Sequence, residues 1–302
     1  MSSSRATGPV LWLALVVSLA ANASAFSVPL HNHSVNADGF AVTLWEKSSR
    51  KPRATILLVH GRTWSALPNF DLRVDGENRS VMDALAARGY AAYAIDLRGY
   101  GATKRDASGW LTPQRAADDV AAALKWIAQQ HPKLPRPALL GYSRGAHVSL
   151  FLAQQHPELL SALVLYGLPP TTGIAPSVPP AEPPRRPTTR EAAAEDFITP
   201  GAASAAVIEA YASMAVATTP VRADWRDEHQ FVFDAAQVRV PTLLIYGVND
   251  GLRSDQTLAF FGKLATPDRA FTVLPDADHA AHVENAQAAW LNAVEAFISA
   301  PR

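Results

Sequence analysis

Five residues near the middle of the chain have the spacing of a reactive serine on a sharp turn. Gly141-Tyr142-Ser143-Arg144-Gly145 is a G-x-S-x-G sequence between a short apolar run (137–140) and a run with helical character (146–155). A serine on such a strand-to-helix turn has strained backbone angles, so the residues two before and two after it must lack bulk. The pattern predicts a nucleophile elbow with Ser143 as the nucleophile. A serine in an ordinary strand-to-helix turn is the alternative.

A serine nucleophile needs a partner, because its hydroxyl is weakly reactive at neutral pH without a base in hydrogen-bonding distance. Imidazole suits this role, since its pKa lies near neutrality. The chain has nine histidines and no cysteine, which excludes disulfides, thiol nucleophiles and zinc sites with cysteine ligands. The histidines are scattered, and the i, i+3 pair His279 and His282 lacks a H-E-x-x-H pattern. We therefore expect neither a metal site nor a cofactor.

Length and charge limit the classes of function. With 302 residues and 48% apolar content, the chain can bury one large α/β core with an insertion. It has 27 basic and 27 acidic residues, so no net field attracts nucleic acid or an anionic membrane. The expected partner is a small molecule, and the composition leaves the oligomeric state open.

Residues 1–25 have the composition of a cleavable export signal. Arg5 precedes a short apolar run (10–20), and Ala23-Ser24-Ala25 matches an A-x-A cleavage site. The apolar run is too short to span a bilayer, which makes an uncleaved anchor the weaker alternative. The sequence predicts cleavage after Ala25 and a secreted or periplasmic protein without a stable membrane anchor.

Beyond this signal, short apolar runs alternate with helical segments. Two extended segments (27–36 and 40–47), joined by a turn-rich linker, predict a hairpin. Asp118 and Asp119 lie on the polar side of one predicted helix, where solvation is expected. The other predicted strands are 54–59, 90–95, 137–140, 161–166, 240–246 and 270–274, and the predicted helices are 80–88, 112–130, 146–155 and a last one ending near 298. This alternation indicates a parallel sheet with helices on both faces.

Three features together resemble the α/β-hydrolase fold: the elbow, the His60-Gly61 pair after the strand 54–59, and the sequence Asp96-Leu97-Arg98-Gly99-Tyr100-Gly101. The resemblance implies a mostly parallel sheet of the eight-stranded type with helices on both faces and a lid insertion. It also implies an oxyanion hole formed by the backbone N–H groups of Arg62 and Arg144. His60 is expected to orient its loop rather than to react. The Arg62 side chain either faces substrates that carry a carboxylate or is merely solvated.

The same resemblance implies the two partners of the nucleophile. Asp250 follows the strand 240–246, where the family has its triad acid, and His279 follows the last strand with Glu284 five positions later. The resulting chain order Ser, Asp, His matches the α/β-hydrolases. Asp276 and Asp278 are rivals for the acid, although both share the loop of the histidine.

An insertion interrupts the core. The chain is expected to consist of the signal (1–25), a first core part (26–168), a Pro-rich and helical insertion (169–235) and a second core part (236–302). The region 169–187 holds eight prolines, which favours extended loop structure. The resemblance implies that the insertion is a lid over the elbow; a surface decoration far from the site is the alternative. The aromatic candidates for substrate contact, for each of which a packing role is the alternative, are Trp64, Tyr142, Tyr211, Trp225, Phe231 and Phe233.

The resemblance implies a serine hydrolase that cleaves carboxylic esters through an acyl-enzyme. A peptidase or amidase with the same triad is an alternative, although the sequence shows no acidic cluster assignable to a substrate amine. A catalytically silent binding protein on this fold and cofactor-free perhydrolase or lyase chemistry also stay open. Because this fold hosts many reactions, the sequence does not select acyl length or leaving group.

Overall fold

The computed structural model describes residues 27–62, 64–178, 180–221 and 224–301. The predicted export signal lies outside these described residues. The strands are β1 His31–Ala37, β2 Phe40–Ser48, β3 Ala54–Val59, β4 Leu72–Val74, β5 Glu77–Arg79, β6 Tyr90–Asp96, β7 Trp110–Leu111, β8 Ala138–Tyr142, β9 Ala162–Tyr166, β10 Asp224–Trp225, β11 Thr242–Gly247 and β12 Arg269–Leu274. The helices are α1 Ala66–Phe70, α2 Val81–Ala87, α3 Pro113–Gln130, α4 Arg144–Gln155, α5 Arg190–Ala194, α6 Ala205–Thr218, α7 Asp255–Gly262 and α8 Gln287–Ile298.

Eight strands form one central sheet in the order β1-β2-β6-β3-β8-β9-β11-β12. The pairs β1–β2 and β2–β6 are antiparallel, and every other pair in this sheet is parallel. The predicted hairpin is present, and Asp38 and Gly39 at its turn both have positive φ, as a tight two-residue hairpin turn requires. The predicted architecture, a mostly parallel sheet of eight strands with helices on both faces, is confirmed.

The sheet is covered on both faces at its centre, where the strands β3, β6, β8, β9 and β11 are buried along almost their whole length. Leu57 and Val59 of β3 pack with α3, α4 and α7, whereas Ile56 and Leu58 pack with α1, α2 and α8. Because successive side chains of a strand alternate between faces, a single strand contributes to both layers of the core. The ends of β3, β8, β11 and β12 thereby meet at one edge of a rigid scaffold.

Helix α3 differs from its sequence-based description at one residue. Thr112 caps the helix by accepting a hydrogen bond from the Arg115 N–H, as its sequence indicates. Asp119, however, is fully buried and accepts two hydrogen bonds from Arg98 Nε at 2.9 and 3.1 Å. The expectation that Asp119 is solvated is therefore wrong, because Arg98 from the loop after β6 covers it.

The segment 169–235, called the insertion below, lies between β9 and β11. Helices α5 and α6 belong to it, and its strand β10 pairs with β7. The helices form a separate apolar cluster with Trp64 and with the loop after His279; its buried members are Trp64, Leu72, Ala193, Ala203, Val207, Tyr211, Ala212, Ala215, Ala280 and Val283. The insertion thus packs against two of the loops that carry predicted site residues. Within the described ranges, no helix has the length and hydropathy needed to cross a membrane.

Candidate active site

Ser143 occupies a strained backbone position between β8 and α4. Its φ of 53° and ψ of −119° make it one of the few non-glycine residues with positive φ among those described. A Cβ atom on Gly141 would collide with the Gly145 carbonyl and lie 2.5 Å from Ser149 Oγ, and one on Gly145 would lie 2.5 Å from His60 O. Both glycines therefore allow the close approach of helix to strand that holds the half-buried serine.

Gly145→Ala tests this close packing. The added methyl group is expected to lower the free energy of unfolding by about 3 kcal/mol, because it meets backbone oxygens of β3 and its loop rather than flexible side chains. Urea unfolding measures the change. Gly262→Ala is the control, since a Cβ there meets nothing within 4 Å, and its expected effect lies between zero and a gain of about 1 kcal/mol. Equal stability of the two variants would contradict the steric explanation.

His279 and Asp250 form a hydrogen-bonded pair. The distance between His279 Nδ1 and Asp250 Oδ2 is 2.9 Å, and the Asp250 side chain is almost fully buried. Asp250 follows β11 and His279 follows β12, so neighbouring parallel strands deliver the two side chains to the same edge. Because Nδ1 faces a carboxylate, it carries the proton, which leaves Nε2 as the free basic nitrogen.

The pKa of His279 is raised above its usual value. Burial alone lowers the pKa of this imidazole, but the hydrogen bond and the charge of Asp250 raise it, and the charges of Asp196 and Glu284 add to that effect. His282 behaves in the opposite way: burial lowers its pKa to about 3. Of the two histidines in this loop, only His279 has a carboxylate on its ring nitrogen, so it is the one suited to accept a proton.

The pair lies beside the elbow. The Ser143 N–H donates to the carbonyl of Tyr166 at 2.9 Å, and a Cβ on the next residue, Gly167, would lie 2.6 Å from His279 Cε1 and 3.2 Å from Asp250 Oδ2. The ring of Tyr142, the residue before the serine, is 4.9 Å from the imidazole ring. Among the described residues, Ser143 Oγ has no hydrogen-bonding partner. Catalytic hydrogen bonds of this kind often form only with substrate bound.

The two rival carboxylates have other surroundings. Asp278 is fully buried and accepts hydrogen bonds from the backbone and hydroxyl of Thr199 and from Asn249 Nδ2. Asp276 is exposed in a turn with a φ of 49°. Neither has a hydrogen bond to His279 in the described part of the chain, so the geometry favours Asp250 as the acid.

The predicted oxyanion-hole residues are joined through their side chains. Arg62 Nη1 and Arg144 Nη2 lie 3.2 and 3.1 Å from the same oxygen of Glu228, a residue of the insertion. The N–H groups of Arg62 and Arg144 donate to no described residue. Arg144 N is also the first N–H of α4, where helix geometry leaves donors unsatisfied.

His147 holds the Arg144 guanidinium in place. Burial and the charge of Arg144 lower the pKa of His147 to about 3, so the ring is neutral. Its Nε2 lies 3.1 Å from the carbonyls of Pro169 and Pro170, and its Nδ1 lies 3.1 Å from Arg144 Nη1. Since the carbonyls only accept, Nε2–H donates to them and Nδ1 accepts from Arg144.

His60 orients its loop, as the sequence predicts. Burial lowers its pKa to about 4, so it too is neutral. The Leu97 N–H donates to its Nε2 at 3.2 Å, which leaves the Nδ1–H to donate to the Gly61 carbonyl at 2.7 Å. These bonds fix the loop that leads from β3 to Arg62.

Five of the six aromatic candidates for substrate contact are at least 93% buried: Trp64, Tyr142, Tyr211, Trp225 and Phe231. Tyr142 stacks on Tyr166 at 5.0 Å, and the Trp225 indole donates to Tyr100 OH at 2.9 Å. Trp64 Nε1 and Tyr211 OH both donate to Asp196 Oδ2, at 2.7 and 3.2 Å. These contacts favour packing roles.

Asp196 and Glu228 are site residues that the sequence reasoning missed. Both lie in the insertion, which the sequence describes only as Pro-rich and helical, so neither had a local signal. Their partners are far away in sequence: Trp64 precedes Asp196 by 132 residues. Within the described ranges, no three acidic or histidine side chains gather as a metal site would require.

Comparison with known proteins gives a match to one hydrolase family and structural similarity to several hydrolases. Residues 50–286 match the family described as serine aminopeptidase, S33. A serine hydrolase from the polyaromatic-hydrocarbon-degrading bacterium Cycloclasticus zankles has a TM-score of 0.67 at 17% identity, covering 90% of this chain and 98% of that one. The carboxylesterase CesB from Bacillus subtilis has 0.62 at 14%, covering 91% and 94%. A thioesterase domain from the curacin biosynthetic pathway has 0.60 at 19%, covering 88% and 99%. No curated protein sequence matches the chain. At these identities the structural likeness concerns the fold.

Proposed function

Since the chain belongs to the serine aminopeptidase S33 family of α/β-hydrolases, we propose that this hydrolase cleaves carboxylic esters through an acyl-enzyme, with Ser143, His279 and Asp250 as its triad. The observation that carries the proposal is the 2.9 Å hydrogen bond between His279 and Asp250 beside a serine in the strained elbow conformation. A binding protein would need neither the buried carboxylate on the imidazole nor the strained serine.

The proposed reaction has two halves. His279 Nε2 takes the proton of Ser143 as Oγ attacks the ester carbonyl, and the oxyanion that forms accepts hydrogen bonds from the N–H groups of Arg62 and Arg144. The imidazolium then gives this proton to the departing alcohol, leaving an acyl group on Ser143. A water molecule, deprotonated by His279, attacks the acyl carbonyl in the same way and releases the acid. Asp250 keeps the proton of the imidazole on Nδ1 throughout.

The insertion is proposed to be a lid. Its Glu228 holds both oxyanion-hole side chains, and its Asp196 holds Trp64, so the insertion contacts the site on two sides. A lid excludes water and limits the size of the substrate. We further propose an exported protein acting on small-molecule esters, on the strength of the signal-like residues 1–25.

A chain-length series of chromogenic acyl esters, with an anilide of the same acyl group, tests the proposal on the mature protein. Turnover of esters with a preference for one acyl length, and slow cleavage of the anilide, is the expected result. Labelling of Ser143 by a fluorophosphonate, located by mass spectrometry, accompanies the assay. A chain that neither turns over any ester nor becomes labelled would refute the proposal.

An aminopeptidase is the second candidate, and one observation favours it besides the family description. Such an enzyme must bind a protonated substrate amine, and the carboxylate of Asp196 lies in the site with no lysine or arginine of the described residues paired to it. Amino-acid anilides with a free and with an acetylated amine distinguish the candidates. Rapid cleavage confined to the free amine would favour the aminopeptidase.

A further inference from the structure

Asp196 is an acidic residue of the insertion held entirely by neutral groups. Its Oδ2 accepts hydrogen bonds from Trp64 Nε1 and from Tyr211 OH, whose single proton is shared with Asn69 Oδ1 at the same distance of 3.2 Å, and its Oδ1 accepts from no described residue. Indole N–H can only donate, so Asp196 is needed here as an acceptor. Burial raises the pKa of Asp196, whereas the two hydrogen bonds and the charge of His279 lower it. The net effect is a pKa above the usual value, because burial outweighs the charge of His279 and the two hydrogen bonds.

A short stretch of chain fixes Asp196 beside the catalytic loops. Three residues on, Thr199 donates its N–H and its hydroxyl to the carboxylate of Asp278, the residue before His279, with the hydroxyl 2.6 Å from Oδ1. Asn249, the residue before Asp250, donates to the same hydroxyl at 3.1 Å and to Asp278 Oδ1 at 3.2 Å. The insertion is therefore fastened to both loops that carry the proton-transfer pair. These contacts seat residues 196–199 against the loop that carries His279, and the charge of Asp196 contributes to the raised pKa of both His279 and Tyr142.

The groups that face His279 come from three strand ends, from the insertion and from the histidine's own loop. Asp250 from the end of β11 and Asp196 from the insertion are acidic, and so is Glu284 from the histidine's own loop. Tyr142 and Tyr166, at the ends of β8 and β9, present aromatic rings, and His282 in the same loop is neutral. The two carboxylates outside the loop, Asp250 and Asp196, are thus contributed by the core and by the insertion respectively.

We propose that Asp196 is a positioning residue that stabilises the imidazolium form of His279 during proton transfer, with Asp250 as the directly bonded partner. The inference rests on the proposed function of His279 as base. Its physical reason is that a fixed anion in a site shielded from water lowers the free energy of the cation formed in the transition state. The insertion then contributes to proton transfer as well as to substrate access, because its contacts with Asp278 place the charge of Asp196 in the site.

The test is a pair of matched variants assayed on a neutral ester between pH 5 and 9. Asp196→Asn keeps an oxygen for Trp64 and Tyr211 but removes the charge. Its plateau kcat is expected to fall about 10-fold with KM unchanged. The acid limb of the pH–kcat/KM profile, which reports the loss of base on protonation of His279, should move to lower pH by about 0.5–1 unit. Glu195→Gln removes an exposed charge one residue away and should leave kcat and the profile as in the wild type. Asp196→Glu restores the charge and should recover part of the shift.

A titration of the His279 ring protons by NMR makes the inference independent of the substrate. The pKa of His279 should be lower in the Asp196→Asn variant even when no ester is turned over, so failure of the esterase proposal is seen separately. An unchanged pKa of His279 would overturn the inference. A loss of rate confined to substrates with a free amine would also overturn it, and would indicate instead that Asp196 binds the substrate ammonium group. If the Asp196→Asn variant has a lowered melting temperature, Asp196→Ser serves as a second neutral variant for the same titration.

Discussion

Ser143→Ala is expected to lower the rate of ester hydrolysis by about 10⁶-fold, the size of loss that follows removal of a triad nucleophile. The variant keeps the Cβ atom and removes only Oγ, which has no hydrogen bond to any described residue, so the fold is expected to survive. The residual activity should come from the oxyanion hole and from substrate binding, since neither requires the hydroxyl. Substrate affinity, measured with a non-hydrolysable analogue, should therefore stay within a few-fold of the wild type.

The control is a second serine on the same helix. Ser149 is fully buried in α4, and its hydroxyl has no partner among the described residues. Ser149→Ala should leave turnover near that of the wild type and should raise stability slightly, because an unsatisfied buried hydroxyl is removed. If the Ser143→Ala variant retained more than one part in a hundred of the wild-type rate while a fluorophosphonate still labelled the protein, another residue would be the nucleophile.

The core of the fold is legible in the sequence because its signals are local. The continuous apolar run of β3 indicates burial on both faces, and Thr112 marks the start of α3. The elements that the sequence analysis did not predict are short. The hairpin of β4 and β5 has three residues in each strand, and α7 has eight residues with few buried side chains. Such elements owe their stability to tertiary contacts rather than to their own pattern.

The residues of the candidate site also divide into those that the sequence predicts and those that it does not. Ser143 is predicted from the glycine spacing together with its strand-like and helix-like flanks, and Asp250 and His279 are predicted from the α/β-hydrolase resemblance at positions that follow recognisable strands. Asp196 and Glu228 are charged residues in a segment whose composition indicates only helix or loop, and their partners are Trp64, Arg62 and Arg144 from other parts of the chain. Asp119 in the core is a similar case, because its burial depends on a distant partner, Arg98, that the sequence pattern does not reveal. The sequence pattern records polarity but not the partner that makes burial of a charge favourable.

Asp250→Asn is expected to lower kcat by about 10⁴-fold, the second largest effect in the site. Asparagine has the shape of aspartate, so the loop after β11 should keep its structure. Its amide nitrogen can donate to His279 Nδ1, however, which would place the imidazole proton on Nε2 and leave no lone pair to accept the Ser143 proton. The loss of charge also lowers the pKa of His279, because the hydrogen bond and charge of Asp250 are what raise it against burial.

The comparison variant for this prediction is Asp276→Asn, an exposed carboxylate in the histidine loop. Its kcat and KM should equal those of the wild type, since nothing in the described structure joins its side chain to His279. Activity is measured on the ester that the wild type prefers, at a pH above the acid limb. Near-normal turnover by the Asp250→Asn variant would transfer the acid role to the histidine's own loop, and Asp278, bonded to Thr199 and Asn249, would then have to exchange these partners for the imidazole.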